Sequence, residues 1–546
     1  MCVFQTRHAG TTSAESMFLP VLGDDSLGGK LEFDKGEEGN SAEVDKDQDE
    51  GEDFDQDDLA TDLDSLDGQE SGTDSDIVAQ PLDGSWIQWA ELFGPLVGVT
   101  TQKKAQLQGE LRMMTLCSGT DAPVMAMQCA AGKDRVRHIL SCDNADSSFV
   151  WVHKNSRPRP EHFLKDVADL AKPKALCLMC EKLCTAHHQE VDLMVAGFPC
   201  APYSQLNPKR FTGNDAFLSH PDIQVFEHIH DFLKHAEKPP KVVVLENVAG
   251  VSKSSKDSHA SGAGDLTPAD WIMKGLGGKK KRFGLGSLSR YLVRQTPPQS
   301  CMQYGLPIRR TRIFWVLLRR DEYCEKDMDT IFANLKTLNK YKIPTSSISS
   351  FVKTWELIGE SDSDSEDLLP KKKKARVVYK ERDGWKAQSE AFRKKHGLPS
   401  MASPRGNPYT GILNEDTVLN ISDRELDVAN VAYLHALAES GGKAPTSLCI
   451  DVSQSVGRKP WRVDGKMTSP GTKAKIIFNG SLLDIKTGMG LLGWPLHTLR
   501  VPDKLSPTQL RKLTGNMISP PVIGGIFLSM LAAIPIGGVS LNDTVD

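Results

Sequence analysis

The chain has 546 residues, of which 39% are hydrophobic, so it exceeds a usual single domain and can bury a sizeable core. No apolar stretch approaches the roughly 20 residues of a membrane helix, and the first residues lack the apolar run of a secretory signal, so a soluble intracellular protein is expected. Eleven cysteines spread unevenly over this length do not form the pattern of a disulfide framework.

The net charge of −5 hides two oppositely charged parts of the chain. The segment from Asp24 to Asp76 holds 22 acidic residues against three lysines, a local net charge of −19, which leaves +14 on the remainder. Such a segment cannot bury enough apolar surface to fold, so residues 1–82 are predicted to be a disordered acidic tail. A basic body is typical of proteins that bind a polyanion, although basic faces are also common in other soluble proteins.

Short apolar runs alternate with helix-like segments from Leu111 onward. Each run is bounded by polar, glycine or proline turns, and the intervals are long enough for crossover helices, which indicates buried strands of a largely parallel sheet in an α/β fold. The runs are Leu111 to Leu116, Arg137 to Cys142, Val191 to Ala196, Lys241 to Leu245 and Arg312 to Leu318. Ligands of such sheets bind beyond the carboxyl ends of the strands, where a functional site is therefore expected.

The segments between and after these runs carry other signals. Residues 252–287 are rich in serine, glycine and lysine and predict a flexible basic loop. Residues 359–377 form a low-complexity insert, and its run Pro370-Lys-Lys-Lys-Lys-Ala-Arg376 is typical of a nuclear localisation signal, with a solvated charge run as the alternative. A helix is expected to begin at the capping box Ser422-Asp-Arg-Glu425 and to end at Gly441-Gly442.

One cysteine stands directly after the third apolar run, in Gly197-Phe-Pro-Cys200-Ala-Pro-Tyr-Ser204. Proline cannot donate to a strand ladder, so Cys200 is expected on a loop that faces a cleft. Without this setting, a buried apolar role would be the better interpretation of a cysteine. Cys200 is therefore the candidate nucleophile.

The Pro-Cys loop resembles that of the cytosine-5 DNA methyltransferase family, and further segments resemble the other motifs of that family in the family's order. These segments are Leu111-Arg-Met-Met-Thr-Leu-Cys-Ser-Gly-Thr120, Ser141-Cys-Asp143, Lys165-Asp-Val167, Leu245-Glu-Asn-Val248, Tyr304-Gly-Leu-Pro-Ile-Arg-Arg-Thr-Arg-Ile313 and Thr514-Gly-Asn516. Each motif alone is weakly specific, whereas their joint order around the Pro-Cys loop is strongly so. The resemblance implies a Rossmann-like sheet of an S-adenosylmethionine-dependent methyltransferase with an inserted target-recognition region.

The resemblance also implies a domain organisation and a catalytic set. The expected domains are the acidic tail 1–82, a catalytic domain 108–320, a target-recognition region 321–463 with the insert 359–377, and a C-terminal part of the catalytic domain 464–540. The expected catalytic residues are Cys200 as the nucleophile toward carbon 6 of cytosine, Glu246 as the acid at ring nitrogen 3, and Arg310 and Arg312 as neighbouring cations. Either arginine is expected to lower the pKa of the Cys200 thiol, and substrate contacts are expected from Ser204, Asn247 and Val248.

S-adenosylmethionine is implied as the cofactor, at the ends of the first strands. The implied binding residues are Cys117, Ser118, Gly119 and Thr120 in the first turn, Asp143 at the ribose, Asp166 and Val167 at the adenine, and Asn516 from the C-terminal segment. The sequence departs from the family pattern at Thr115, Cys117, Asp121-Ala-Pro123, Ile308 and Met517-Ile-Ser519. These departures concern cofactor affinity and positioning and spare Cys200, Glu246 and Arg312.

DNA is the expected partner, with the cytosine flipped out of the duplex because its reacting atoms are inaccessible in the base stack. The nucleus is the expected location, no membrane is involved, and nothing indicates the oligomeric state. Two alternatives stay open, namely an RNA cytosine-5 methyltransferase acting on transfer RNA and a methyltransferase-like DNA-binding protein without turnover. The spacing Cys177-x2-Cys180-x3-Cys184-x2-His187 is compatible with zinc, but its apolar setting favours packed thiols, so no metal is assigned.

Overall fold

The computed structural model describes residues 88–106, 109–204, 220–252, 267–277, 288–341, 343–351, 384–401, 412–495 and 498–537. The expected acidic tail 1–82, the insert 359–377 with its basic run, and residues 253–266 and 278–287 of the expected basic loop lie outside the described residues.

An eight-stranded sheet forms the centre of the protein, in the order β3-β2-β1-β6-β7-β11-β8 with β9 paired to β11. The strands in the first part of the chain are β1 Leu111–Leu116, β2 Val136–Cys142, β3 His162–Leu164, β4 Ala175–Cys177, β5 Lys182–Cys184, β6 Leu193–Ala196, β7 Val242–Val248, β8 Tyr291–Gln295, β9 Gln299–Ser300, β10 Ile308–Arg309 and β11 Thr311–Arg319. Strands β4 and β5 form a separate antiparallel hairpin.

A second, smaller sheet lies in the later part of the chain, in the order β13-β12-β15-β16. The later strands are β12 Cys449–Asp451, β13 Trp461–Arg462, β14 Met467–Thr468, β15 Ile476–Phe478 and β16 Ser481–Leu482. Strand β14 pairs with β10 instead and so ties the later part of the chain to the segment before β11.

Helices pack on both faces of the central sheet and around the smaller one. They are α1 Gln88–Leu96, α2 Thr101–Gln106, α3 Ala122–Ala131, α4 Asp146–Asn155, α5 Ile223–His235, α6 Pro268–Gly277, α7 Glu325–Lys340, α8 Gly384–Lys395, α9 Glu415–Asn420, α10 Asp423–Glu439, α11 Ile485–Leu491, α12 Pro507–Asn516 and α13 Pro520–Leu531. Among the described residues, only the helical stretch Pro507–Leu531, which comprises α12 and α13, is long and apolar enough to cross a membrane. In this stretch, 89% of the most apolar part is buried inside the protein.

The predicted α/β fold is confirmed, and each predicted apolar run is a strand of the central sheet. Strands β1, β2, β3, β6 and β7 are mutually parallel, so their carboxyl ends meet at one edge of the sheet. Strand β11 runs antiparallel to β7, which places the first residues of β11 at this same edge. The sequence pattern did not indicate the antiparallel direction of β11 or the short strand β3.

The helix predicted from the capping box is also present. Ser422 accepts a hydrogen bond from Glu425 N, while the Glu425 side chain accepts one from Ser422 N, so both ends of the box are formed at the start of α10. The helix ends before Gly441 and Gly442, both of which have positive φ, a conformation that favours glycine.

The described structure differs from the expected domain boundaries at three points. Helix α1 packs its buried Trp89 and Phe93 into the main core, so that core includes residues before 108. Helix α7, expected in the target-recognition region, buries four apolar side chains in the same core. Strand β15, expected in the C-terminal part of the catalytic domain, pairs with β12. Helices α8 and α10 with β12 and β15 share a core of their own, and its role in target recognition stays a prediction.

Candidate active site

The Pro-Cys loop leaves β6 at the edge where the parallel strands end. Cys200 O accepts hydrogen bonds from Tyr203 N and Ser204 N, both at 2.9 Å, which closes a tight turn directly after the cysteine. Asn247 is fully buried in β7, and its side-chain amide donates to Phe198 O at 3.2 Å while its oxygen accepts from Val248 N at 2.8 Å. Asn247 was expected to contact the substrate, and in the structure its side chain clamps the loop to β7.

Glu246 lies beside this loop and bonds to Arg312. In the antiparallel pair of β7 and β11, Glu246 is opposite Phe314, so Arg312 is its diagonal neighbour on the same face. Arg312 Nε lies 2.7 Å from Glu246 Oε1. A Cβ built on Gly197 would lie 3.3 Å from Glu246 Oε2, which shows how closely the start of the loop approaches the carboxyl group. The expected bond between Arg312 and Glu246 is thus present.

Burial and nearby charges shift the pKa values of both Cys200 and Glu246. Burial raises the pKa of the Cys200 thiol, and the opposing charges of Arg312 and Arg310 do not outweigh this effect. The two arginines thus act in the expected direction, but burial is the larger effect, and the pKa of the thiol is raised above its usual value. Burial also raises the pKa of Glu246 against the same two arginines, which favours a neutral carboxylic acid.

Arg310 was expected among the catalytic residues, but its guanidinium is bonded elsewhere. It is 2% exposed and donates from Nη2 to Gly515 O at 2.9 Å and to Met517 O at 2.8 Å, and from Nη1 to Pro470 O at 3.4 Å. Arg310 therefore fastens the C-terminal segment beneath the site and acts on Cys200 and Glu246 only through its charge.

Replacing Arg310 by methionine is expected to lower the free energy of unfolding by about 3 kcal/mol, because buried carbonyl groups lose their donor. The measurement is urea denaturation followed by tryptophan fluorescence. Arg320→Met removes a half-exposed arginine whose ion pair is 3.9 Å long, and it should change stability by less than about 0.5 kcal/mol. Equal effects of the two substitutions would contradict the bracing role of Arg310.

The turn after β1 has the shape of a ligand cradle. Cys117 and Gly119 both have positive φ, of 50° and 55°. The Ser118 hydroxyl accepts from Cys142 N at 3.1 Å and from the Ser141 hydroxyl at 2.7 Å, so it joins the ends of β1 and β2. Because the Ser118 side chain forms these bonds, the backbone of the turn is the part that can contact a ligand.

Two observations fit a bound cofactor at this turn. A Cβ built on Gly119 meets no atom within 4 Å, so open space lies in front of it. The Thr120 hydroxyl is buried and has no hydrogen-bond partner among the described residues, although buried hydroxyls are usually paired. Asp143 accepts from Gly119 N and Ala145 N, both at 2.9 Å, and so fixes the rim of this space with its remaining lone pairs available.

A buried polar network beneath the turn was not predicted from the sequence. Asp121 is 1% exposed, and its carboxylate accepts from Thr115 Oγ1 at 2.7 Å and from Ser156 Oγ at 3.3 Å, with His138 Nε2 3.9 Å away. Burial raises the pKa of Asp121 and lowers that of His138. Thr115 and Asp121 are two of the departures from the family pattern, and they bond to each other.

The other expected ligand residues lie at the same edge or next to it. Asp166 is exposed after β3 and accepts from Ala168 N at 2.9 Å, while Val167 is buried against the sheet. Asn516 is exposed at the end of α12, two residues before Ile518, whose side chain lies 3.2 Å from a Cβ built on Gly197. Ser204 and Val248 are half-buried at the ends of the loop and of β7.

The residues 111–262 match the family model for the C-5 cytosine-specific DNA methylase. Two relatives are each named DNA (cytosine-5-)-methyltransferase DMT5. The Cryptococcus neoformans protein is 28% identical over 152 residues, which cover 26% of this chain and 6% of the relative. The Verticillium dahliae protein is 32% identical over 111 residues, which cover 18% of this chain and 4% of the relative. This chain thus spans a small fraction of the length of these relatives. The structure is also similar to the crystal structure of the S. pombe Dnmt2 methyltransferase, with a TM-score of 0.37 and 14% sequence identity. The match covers 77% of this chain and 98% of that chain.

Proposed function

We propose that this chain is a divergent member of the cytosine-5 DNA methyltransferase family and that it methylates carbon 5 of cytosine in DNA. The observation that carries the proposal is the group formed by Cys200, Glu246 and Arg312 at one edge of the sheet. A nucleophilic thiol beside a carboxylic acid held by a guanidinium is the set that addition across the 5,6 double bond of cytosine requires.

In the proposed reaction the thiolate of Cys200 adds to carbon 6 of cytosine. The electron pair moves toward ring nitrogen 3, where neutral Glu246 donates a proton, and carbon 5 becomes nucleophilic. Arg312 orients Glu246 through Nε. After carbon 5 has gained the methyl group, a base removes the proton on carbon 5, the electron pair of that bond forms the 5,6 double bond, and the Cys200 thiolate is expelled. Ring nitrogen 3 then returns its proton to Glu246, which restores the aromatic ring and the acid.

S-adenosylmethionine, when bound, supplies an electrophilic methyl group. The chain's own residues for it are the turn from Cys117 to Thr120, with open space before Gly119 and the unpaired Thr120 hydroxyl, and Asp143 at the rim. The carboxylates of Asp143 and Asp166 follow adjacent strands and are suited to accept hydrogen bonds from ribose hydroxyls and from an adenine amino group. Asn516 approaches from the C-terminal segment.

The proposed substrate is duplex DNA with the target cytosine flipped into the site, because Cys200 cannot reach carbon 6 within a base stack. The names of the two relatives favour DNA. Helices α8 and α10 and the smaller sheet are the proposed target-recognition unit, since they share a core separate from that of the central sheet. Nuclear location is proposed from the basic run at residues 370–376, which lies outside the described residues.

The test of the proposal is transfer of labelled methyl groups from S-adenosylmethionine to duplex DNA and to transfer RNA by the wild-type chain. Label in DNA at carbon 5 of cytosine is expected, and DNA in which every cytosine is already 5-methylated is the matched control that should stay unlabelled. Label in transfer RNA alone would establish the RNA alternative. Binding of DNA without label in either substrate would establish the alternative without turnover.

Replacing Gly119 by asparagine is expected to weaken S-adenosylmethionine binding at least about tenfold, because the new side chain enters the open space before the turn. Asparagine tolerates the left-handed backbone of Gly119, so the fold should be retained. Calorimetric titration measures the affinity. Gly397→Asn is the matched control, since Gly397 has a φ of +62° and equally open space, and it should leave the affinity unchanged.

A further inference from the structure

A cluster of three cysteines and one histidine lies beside β3, away from Cys200. His162 is in β3. Cys177 is the last residue of β4, Cys184 is the last residue of β5, and Cys180 lies in the turn between these two strands. His162 Nδ1 is 3.6 Å from Cys177 Sγ, 3.2 Å from Cys180 Sγ and 3.8 Å from Cys184 Sγ. The ligand atoms of His162, Cys177 and Cys184 all lie within 4.8 Å of one another.

The distances from His162 Nδ1 to the three sulfurs are those of ligands around a tetrahedral metal ion. With zinc–sulfur and zinc–nitrogen bonds of about 2.3 Å and 2.0 Å, tetrahedral sulfur and nitrogen ligands stand about 3.5 Å apart. His187, which the sequence spacing suggested as a ligand, is not part of the cluster. Its Nε2 lies 2.6 Å from Lys172 O, and its ring packs on His188. The histidine of the cluster comes from β3 instead, upstream of the cysteines.

The backbone around the cluster donates hydrogen bonds to one of its sulfurs. Phe163 N and Cys180 N each donate to Cys177 Sγ at 3.4 Å. This sulfur is fully buried, and the two N–H donors fix its position within the cluster. None of the described cysteines is in a disulfide.

Only one face of the β4–β5 hairpin packs on the core, where Ala175 and Cys177 are buried. Its two cross-strand leucines, Leu176 and Leu183, are 54% and 63% exposed, and the face turned toward β3 carries cysteines. A two-stranded hairpin of three residues per strand is at best marginally stable in water, so another interaction has to fix it. Glu181 in its turn has a φ of +54°, a strained conformation that persists where the surroundings enforce it.

We propose that His162, Cys177, Cys180 and Cys184 bind one structural zinc ion that pins the β4–β5 hairpin to β3. Four protein ligands leave no open position for water, which is the pattern of a structural site and not of a catalytic one. The second ring nitrogen of His162 lies 3.5 Å from the side-chain amide of Gln189, and the opposite assignment of that amide turns its oxygen toward the histidine N–H.

The zinc ion would also stiffen one wall of the cofactor region. Asp166 follows His162 by four residues, on the loop that leaves β3. Loss of the metal is therefore expected to weaken S-adenosylmethionine binding. This consequence rests on the proposed role of Asp166 in the methyltransferase reaction, whereas the metal content of the protein does not, so the two can fail separately.

The first test is the zinc content of the purified full chain, measured by mass spectrometry of the element. About one zinc ion per chain is expected, and Cys184→Ser and His162→Gln should each lower the content at least about fourfold. Cys324→Ser and His187→Gln are matched controls outside the cluster and should retain the metal. Unchanged zinc in the first two variants would overturn the site.

The second test uses the wild-type chain and does not depend on how the variants fold. Chelator-treated protein titrated with Co²⁺ should show thiolate-to-cobalt charge-transfer absorption and the d–d bands of tetrahedral cobalt, both removed by added Zn²⁺. Co²⁺ spectra without these bands, or thiol counting that finds a disulfide among Cys177, Cys180 and Cys184 in the purified chain, would overturn the proposal.

Discussion

Serine in place of Cys200 is expected to reduce methyl transfer to DNA by at least about 10³-fold, because a hydroxyl is a far weaker nucleophile than a thiolate and gives no comparable adduct. The same substitution should abolish the denaturation-resistant complex that the wild-type chain forms with DNA containing 5-fluorocytosine, in which a fluorine replaces the proton lost from carbon 5. The measurements are label transfer and electrophoresis of the covalent complex.

Cys324→Ser is the matched control for this substitution, since Cys324 is an exposed cysteine that precedes α7. It should retain both methyl transfer and the covalent complex. A Cys200→Ser protein that keeps more than about a tenth of the wild-type rate, or that still forms the complex, would show that the bond to cytosine is made by another residue.

Glutamine in place of Glu246 is expected to lower kcat by about 10²- to 10⁴-fold and to change the shape of the pH profile. Glutamine has nearly the same size and can still accept from Arg312 Nε, but it cannot give a proton to ring nitrogen 3. The effect on the rate therefore reports proton donation and not the loss of packing.

The change in the pH profile follows from the raised pKa values of both groups. The reactive form needs Cys200 as thiolate and Glu246 as neutral acid, and burial raises the pKa of each. Between the pKa of Glu246 and the higher pKa of Cys200, each pH unit raises the thiolate population about tenfold and lowers the neutral acid about tenfold, so kcat/KM of the wild type should be flat. Without the titration of residue 246, kcat/KM should rise about tenfold per pH unit in the same interval.

The measurement is kcat/KM across this interval for the wild type and for Glu246→Gln. Glu425→Gln is the matched control, because Glu425 is also a buried glutamate that bonds to a cation, Lys475, but it lies in the separate core around α10. That variant should keep the flat wild-type profile. A flat profile in Glu246→Gln would mean that Glu246 is not the group whose deprotonation offsets the gain in thiolate.

The sequence predicted well whatever depends on local patterns. Strand β6 and the first four residues of β7 are uninterrupted apolar runs, and the start of α10 is set by a capping box within four residues. The Pro-Cys loop comes directly after β6, and Glu246 lies near the carboxyl end of β7. Since parallel strands share one edge for their carboxyl ends, knowing the strands was nearly enough to bring Cys200 and Glu246 together.

Contacts between distant parts of the chain could not be predicted in this way. The guanidinium of Arg310 finds its acceptors 160 to 207 residues later, and they are backbone carbonyls, which carry no side-chain signal. His162 joins the cysteine cluster from a three-residue strand that has no clear periodicity, whereas His187 has the better spacing and points away. Ile308, where the family has glutamine, is buried in the main core and pairs with Met467.

The backbone carbonyls of Gly515 and Met517 accept hydrogen bonds from Arg310. Assembly of the site therefore depends on residues that are synthesised long after Arg310. Arg312, the last of the three reactive residues, leaves the ribosome about 200 residues before α12, roughly ten seconds or more at ordinary rates of translation. During that interval Arg310 lacks these acceptors, and Ile518 has not reached Gly197. The pocket around the nucleophile and its acid is thus completed by α12 and the residues directly after it, so a partly translated chain carries the reactive residues without an assembled pocket.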